Sequence, residues 1–209
     1  MNYVLDAAII LITFVVFGII HSFLASSKFK RKIKKKFGSL IAFYRLFYNL
    51  FSFILLILLF IFIPKPALVI YKLPPTFDII ILFIQLIAIA GLIWSIKYFS
   101  AGEFLGIAQI IRWAKNSYDD ELDEKLTLRI EGPYKFSRHP VYFFAIIFLT
   151  AQSAMDLFYL TVLICFILYF YIGSYYEEKK LIGQFGNKYI TYQKSVPRIV
   201  PHIFSKKFY

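Results

Sequence analysis

The residues best suited to do chemistry lie in one short stretch, Gly132-Pro133-Tyr134-Lys135-Phe136-Ser137-Arg138-His139-Pro140-Val141-Tyr142. A guanidinium (Arg138) and an imidazole (His139) stand directly before Pro140, where a long apolar run begins. A charge at the edge of such a run is costly unless it is paired or bound, so it indicates a functional site by default. The alternative is that Arg138 only anchors the chain by extending its charged end to the membrane surface.

A second group of ionisable residues, Glu177 and Glu178, follows the next apolar run. If residues 140–176 form a helical hairpin, these carboxylates return to the side on which Arg138 and His139 lie. Such a cluster predicts a polar pocket beside lipid. Two alternatives remain. The carboxylates begin a solvated helix, favoured by the helix dipole, and tyrosines such as Tyr142 belong to an interfacial aromatic belt.

The elements that must position these side chains are predicted to be membrane helices. Of the 209 residues, 60% are hydrophobic and 21% aromatic, which is typical of a polytopic membrane protein and not of a soluble domain. The net charge of +12 does not indicate a nucleic-acid partner, because the basic residues lie between the apolar runs. A lone cysteine, Cys165, excludes a disulfide framework, and three distant histidines predict no metal site.

The apolar runs predict an all-α polytopic membrane protein with about five transmembrane helices, the last two a tight hairpin, and a cytoplasmic C-terminal helix. The runs lie at 7–26, 42–63, 78–99, 140–154 and 157–176, and most approach the roughly 20 residues that a spanning helix needs. Of the 24 Lys and Arg residues, 22 fall on one side, which is predicted to be cytoplasmic. An integral cell-membrane protein is expected, with its N-terminus outside and its C-terminus and site cytoplasmic.

Two cytoplasmic segments complete this picture. Acidic residues at 119–124 are interpreted as a solvated loop or helix start. In the tail, Leu181, Phe185, Tyr189 and Tyr192 recur at three- and four-residue spacing, which predicts a helix that runs from Glu177 and ends before Pro197.

Several motifs between residues 126 and 201 occur in a specific order. They are Gly132-Pro133-Tyr134, Arg138-His139-Pro140-x-Tyr142, Glu177-Glu178-x-x-Leu181, Phe185-Gly186-x-x-Tyr189-x-x-Tyr192 and Val196-Pro197-Arg198. This order resembles the C-terminal half of the isoprenylcysteine carboxyl methyltransferase family, whose relatives include bacterial phospholipid methyltransferases. The N-terminal half resembles membrane proteins related to NnrU and to methanethiol S-methyltransferases, through His21-Ser22, Tyr44-Arg45-Leu46-Phe47-Tyr48-Asn49 and Phe104-Leu105-Gly106.

The resemblance implies a methyltransferase of the EC 2.1.1 class that uses S-adenosyl-L-methionine without a Rossmann domain. The apolar runs predict three transmembrane helices in residues 1–99, and the resemblance implies a catalytic half in residues 100–209 that ends in a cofactor-binding tail. Arg138 or His139 is expected at the donor carboxylate and Glu177 at its amino group. The implied catalytic residues are Glu178, Arg198 and His21. The implied cofactor-binding residues are Leu126, Thr127, Leu128, Arg129, Tyr134, Arg138, His139, Pro140, Val141, Tyr142 and Glu177.

One position departs from the family pattern. Prenylcysteine methyltransferases carry an arginine one turn before the glutamate that aligns with Glu177, to hold the substrate carboxylate, and this chain has Gly173 there. Arg198 could substitute, whereas a neutral or thiol acceptor needs no such arginine, and His21 and Tyr48 could then contact the acceptor or serve as base. The expected acceptor is small or lipophilic and reaches the site from the bilayer. A thiol, a prenylcysteine-like carboxylate and a phospholipid amine all remain open.

Two non-enzymatic classes compete with this interpretation. A small transporter predicts ionisable residues at mid-membrane and internal symmetry, but only Gln85 and Asn49 are polar there and no repeat is visible. A structural or assembly factor is the other class. The basic run from Lys28 to Lys36 predicts contact with anionic lipid, but it does not explain the clustered site.

Overall fold

The computed structural model describes residues 2–98, 100–118, 122 and 127–201. The strands that it shows are β1 (Val69–Lys72) and β2 (Ala154–Asp156), which pair antiparallel. Short 3-10 helices cover Gly38–Phe43, Pro75–Phe77 and Gly132–Lys135. The α-helices are α1 (Tyr3–Ala25), α2 (Ser27–Phe37), α3 (Tyr44–Phe62), α4 (Asp78–Lys97), α5 (Ala101–Leu105), α6 (Ile107–Ala114), α7 (Pro140–Thr150), α8 (Leu157–Phe185) and α9 (Asn187–Ser195).

The predicted all-α polytopic membrane fold is confirmed, and the small sheet is its one addition among the described residues. Four helical segments are long and apolar enough to cross a membrane: Tyr3–Ala25, Ser27–Phe62, Pro75–Lys97 and Leu157–Phe185. The predicted fourth span is shorter than expected, because α7 has 11 residues. Such a helix rises about 16 Å, roughly half of a bilayer core. The count of about five spans is therefore not confirmed.

The end of α7 explains why a polar residue, Gln85, lies in the middle of the apolar helix α4. A helix end leaves carbonyls without partners, which is costly in an apolar environment. The Gln85 side-chain amide in α4 donates to the carbonyl of Ala151 at 2.7 Å. The Tyr159 hydroxyl donates to the carbonyl of Leu149 at 2.9 Å. Gln85 therefore caps the end of α7. This hydrogen bond accounts for a polar side chain in the apolar α4, and no ion pathway is needed to explain it.

The chain divides into two compact units, Met1–Lys65 with Ser100–Lys125 and Pro66–Phe99 with Leu126–Tyr209. In the first unit α1 packs against α3. In the second unit α4 packs closely against α7, because Ala88, Gly91 and Ser95 keep the α4 surface small and buried. A Cβ on Gly91 would lie 2.3 Å from the Phe144 ring. The predicted functional division at residue 99 remains a prediction.

Helix α8 carries the two glutamates in its interior. It has 29 residues and rises about 43 Å, so its last turns extend beyond a bilayer core of about 30 Å. The alternative that Glu177 and Glu178 begin a separate tail helix is therefore wrong. The single tail helix predicted up to Pro197 is also wrong, because the chain breaks at Gly186, whose φ is 54°. A left-handed φ favours glycine and ends α8 there, and α9 follows.

Candidate functional site

The cluster predicted from the motifs forms within the second unit, where α7, α8 and the tail meet. Arg138 is its most constrained member. Its Nε donates to Glu178 Oε1 at 2.7 Å and its Nη2 to Glu178 Oε2 at 3.2 Å. Its Nη1 donates to the backbone carbonyls of Gln193 and Val196. The side chains of Arg138 and Glu178 are only 8% and 3% exposed. This buried two-contact ion pair ties three segments together.

The tail after α9 is held against the start of α7 by backbone hydrogen bonds. The amides of Arg138 and His139 donate to the carbonyls of Pro197 and Arg198, both at 2.9 Å. The buried Ser137 hydroxyl donates to the carbonyl of Ile199 at 2.7 Å. The amides of Arg138 and His139 precede α7, which begins at Pro140, so they have no partner within the helix and are paired by the tail instead. These bonds place the Arg138-His139 pair.

His139 lies between the two glutamates. Its Nδ1 is 3.3 Å from Glu177 Oε2 and its Nε2 is 3.3 Å from Glu178 Oε1. Burial alone would lower the pKa of His139, but hydrogen bonds and negative charge from Glu177 and Glu178 raise that pKa above its ordinary value. The imidazolium form is thereby favoured, because it can donate from both ring nitrogens.

Glu177 is the exposed carboxylate of the pair. It accepts a hydrogen bond from the Tyr142 hydroxyl at 2.7 Å, and its side chain is 53% exposed. Tyr142 stacks on His139 with ring centroids 5.2 Å apart and on Phe170 at 4.8 Å. Glu177 is thus oriented by two neighbours and still open to a ligand, whereas both oxygens of Glu178 are occupied.

Arg198 brings a second cation to the cluster. Its Nε lies 3.3 Å from Glu178 Oε2, but the geometry is not that of a hydrogen bond. Among the described residues, this buried Nε has no hydrogen-bond partner. The side chain is 38% exposed. Arg198 is therefore better placed than Arg138 to receive a further anionic group.

The segment before α7 contributes Arg129 and Tyr134. The Tyr192 hydroxyl donates to the carbonyl of Tyr134. Burial raises the pKa of Tyr134, and the nearby charge and hydrogen bond of Arg129 only partly offset this effect. Thr127 and Leu128 precede Arg129 in a stretch without regular structure, while Pro140 and Val141 form the first turn of α7. Leu126 lies outside the described residues, as do the acidic residues at 119–121 and 123–124.

His21 lies in the first unit, within α1. Its Nδ1 is 3.0 Å from Ser52 Oγ, and its Nε2 contacts the Tyr48 hydroxyl. The structure therefore groups His21 with Tyr48 inside that unit, and the predicted catalytic role of His21 remains a prediction.

Sequence reasoning missed two side chains that complete the cluster. Gln193 donates to Glu178 Oε2 at 2.9 Å. Ser137 accepts from the amide of His139 at 3.2 Å and donates to the tail. Ser137 directly precedes the Arg-His pair, so its position was a usable signal. No sequence signal pointed to Gln193, because it reaches Glu178 only through the change of chain direction at Gly186.

The residues present fit S-adenosyl-L-methionine by charge. The amino acid end of this molecule carries an ammonium and a carboxylate. Glu177 offers an open carboxylate for the first, and the partly exposed guanidinium of Arg198 offers a cation for the second. Tyr134 supplies an aromatic ring, whose face favours cations, and Tyr142 orients Glu177 through its hydroxyl.

Curated relatives of this chain are methanethiol S-methyltransferases, so the predicted resemblance is confirmed. The chain is 36% identical over 70 residues to the enzyme of Pseudomonas deceptionensis, a match that covers 34% of this chain and 27% of that protein. It is 32% identical over 122 residues to the enzyme of Pseudomonas sp. (strain GM41(2012)), covering 56% and 45%. It is 31% identical over 74 residues to methanethiol S-methyltransferase 2 of Bradyrhizobium diazoefficiens, covering 35% and 29%.

The chain thus spans between about a quarter and a half of the length of these relatives. No family model and no solved structure matches it.

Proposed function

We propose that this chain is an integral membrane methyltransferase that transfers a methyl group from S-adenosyl-L-methionine to a small thiol at the cytoplasmic membrane face. The observation that carries this proposal is the open Glu177 carboxylate, held by Tyr142 and His139, in a cluster in which Arg198 pairs with the neighbouring Glu178. The relatives named methanethiol S-methyltransferase support the reaction class and a thiol acceptor.

The protein side chains have binding and positioning roles in this reaction. Glu177 holds the donor ammonium and Arg198 the donor carboxylate, while Tyr134 packs against the donor and Tyr142 orients Glu177. When bound, S-adenosyl-L-methionine supplies a methyl group on a positively charged sulfur. A bond forms between the acceptor sulfur and the methyl carbon, the bond from that carbon to the donor sulfur breaks, and the thiol proton passes to water. Catalysis then rests on in-line positioning of the acceptor sulfur and the methyl group.

The environment of Gly173 supports an acceptor without a carboxylate. Gly173 lies one turn before Glu177 on α8, and a Cβ there would have no heavy atom within 4 Å. This chain therefore has no cation at the position where prenylcysteine methyltransferases carry their acceptor-binding arginine. A thiol needs no cation at that position.

The orientation of the site follows from the charge asymmetry. The motifs lie on the side that carries 22 of the 24 Lys and Arg residues, and such a side is cytoplasmic by the positive-inside rule. The donor is then drawn from the cytoplasm, and a small apolar acceptor enters from either the bilayer or the cytoplasm.

Two measurements on the detergent-purified protein test this proposal. Calorimetry should show binding of S-adenosyl-L-methionine that is lost in Glu177→Gln and retained in Asp78→Asn, a matched change at an exposed carboxylate of α4. With methanethiol added, headspace gas chromatography should detect dimethyl sulfide. Donor binding with methylation of a prenylcysteine carboxylate or a phospholipid amine, and no sulfide, would refute the thiol acceptor. A folded protein that binds no donor would refute the methyltransferase.

A further inference from the structure

Helix α2 presents a continuous basic stripe on its exposed side. The helix has 11 residues and none of them is acidic. Its exposed cations recur at three- and four-residue spacing, so they lie on one face. This basic stripe consists of Lys28, Arg31, Lys32, Lys35 and Lys36.

The position of the stripe is fixed at the end of a membrane span. Helix α1 ends at Ala25 and α2 starts two residues later, with Ser26 forming the corner. The Ser26 hydroxyl donates to the carbonyl of Phe23 at 2.7 Å and accepts from the amide of Phe29 at 3.3 Å. The Tyr44 hydroxyl donates to the carbonyl of Leu24 at 2.8 Å. Since these bonds satisfy the end of α1, the corner holds α2 at the depth where the span leaves the bilayer.

An apolar strip of α2 lies beside the basic stripe, and Lys30 and Lys34 lie on the remaining side of the helix. Phe29 packs against Phe23 and Tyr44, with ring centroids 4.7 Å and 6.3 Å apart. The same side continues through Ile33 to Phe37, which is 49% exposed. Beside it, Leu40 is 53% exposed. Exposed apolar side chains next to a basic stripe are typical of a helix that lies in a membrane interface.

The cations of the stripe have no carboxylate partner in the part of the chain that the structure describes. The cations of the ion pairs that the structure shows there are Arg112, Arg138, His139 and Arg198, none of which belongs to the stripe. Neighbouring cations on one helix face repel each other unless anions lie between them. A row of anions at the depth of the membrane surface would relieve that repulsion.

We propose that α2 is a binding surface for anionic phospholipid headgroups in the leaflet where α1 ends. The basic stripe contacts the phosphates, and Phe37 and Leu40 insert among the upper acyl chains. The helix thereby collects a local shell of anionic lipid around the first unit. This surface is independent of the Glu177 site and of the proposed methyl transfer.

The test uses the full chain reconstituted in phosphatidylcholine vesicles with spin-labelled phosphatidylglycerol or spin-labelled phosphatidylcholine as probes. Wild type should select phosphatidylglycerol over phosphatidylcholine, with a preference that falls as salt is added. The variant Lys28→Gln/Arg31→Gln/Lys32→Gln/Lys35→Gln should lower that preference by about fivefold or more. Glutamine keeps a helix propensity close to that of lysine, so α2 should remain folded.

A matched variant removes the same charge elsewhere. Lys115→Gln/Lys179→Gln/Lys188→Gln/Lys194→Gln changes four exposed lysines outside α2, and it should keep the wild-type preference. A charge-preserving variant, Lys28→Arg/Lys32→Arg/Lys35→Arg, should also keep it. The proposal is overturned if the stripe variant selects phosphatidylglycerol as strongly as wild type, or if the matched variant loses as much selectivity.

Discussion

Arg138 and Glu178 form a two-contact ion pair in which Nε–Oε1 is 2.7 Å and Nη2–Oε2 is 3.2 Å, with both side chains nearly inaccessible to solvent. Removing one partner of a buried pair leaves an uncompensated charge, which typically costs about 3–5 kcal/mol. We therefore expect Arg138→Ala and Glu178→Gln each to lower the free energy of unfolding by about that amount. Thermal unfolding of the purified protein in detergent measures this change.

Arg138→Lys is the informative control for this pair. A lysine keeps the charge but cannot make two parallel contacts to a carboxylate while also reaching the carbonyls of Gln193 and Val196. Stability should therefore stay well below that of wild type. Wild-type stability in Arg138→Lys would show that charge alone, and not the planar geometry, holds the tail.

The adjacent glutamates should respond differently to the same change. Glu177→Gln should abolish donor binding with a melting temperature near that of wild type, because its side chain is exposed and the amide oxygen can still accept from Tyr142. Glu178→Gln should lower both binding and melting temperature. Calorimetric titration and thermal unfolding of the two variants side by side make the comparison, and a large stability loss in Glu177→Gln would contradict it.

The raised pKa of His139 predicts a pH dependence. A group whose folded pKa lies above its unfolded value stabilises the fold fully below the unfolded pKa, here the ordinary value of 6.5. That contribution is lost as pH rises through the higher folded pKa. The stability difference between wild type and His139→Gln should thus be largest in mildly acidic solution and shrink above neutral pH. A difference that grows with pH would show that His139 is buried in its neutral form.

Two glycines should respond oppositely to alanine. A helical glycine costs about 1 kcal/mol relative to alanine, and nothing lies within 4 Å of a Cβ at Gly173. Gly173→Ala should therefore stabilise α8. A Cβ at Gly91 would lie 2.3 Å from the Phe144 ring, so Gly91→Ala should destabilise the α4–α7 contact by about 1–3 kcal/mol. Thermal unfolding should show a melting temperature above that of wild type for Gly173→Ala and below it for Gly91→Ala.

The membrane helices and the site pairing were predictable because hydropathy and charge are carried by side chains. A helical hairpin returns to the side on which it starts, so Arg138 and His139 were expected near Glu177 and Glu178 without any knowledge of packing. The different uses of the two glutamates were not predictable. They depend on which side of α8 faces Arg138, and on backbone carbonyls of residues 193–198 that carry no side-chain signal. The length of α7 was missed for a similar reason, since the carbonyl at its end is capped by Gln85 from another helix, a contact that the sequence of α7 does not reveal.

The tail contacts also set an order of events during synthesis. The Ser137 hydroxyl bonds to the carbonyl of Arg198, which lies 61 residues later in the chain. At roughly 5–20 residues per second, ribosomes need several seconds to make that stretch. The hairpin is therefore available for membrane insertion before its polar partners exist. Until Gln193 and Val196 emerge, Arg138 lacks its backbone acceptors, so the pocket closes only after α9 has been made.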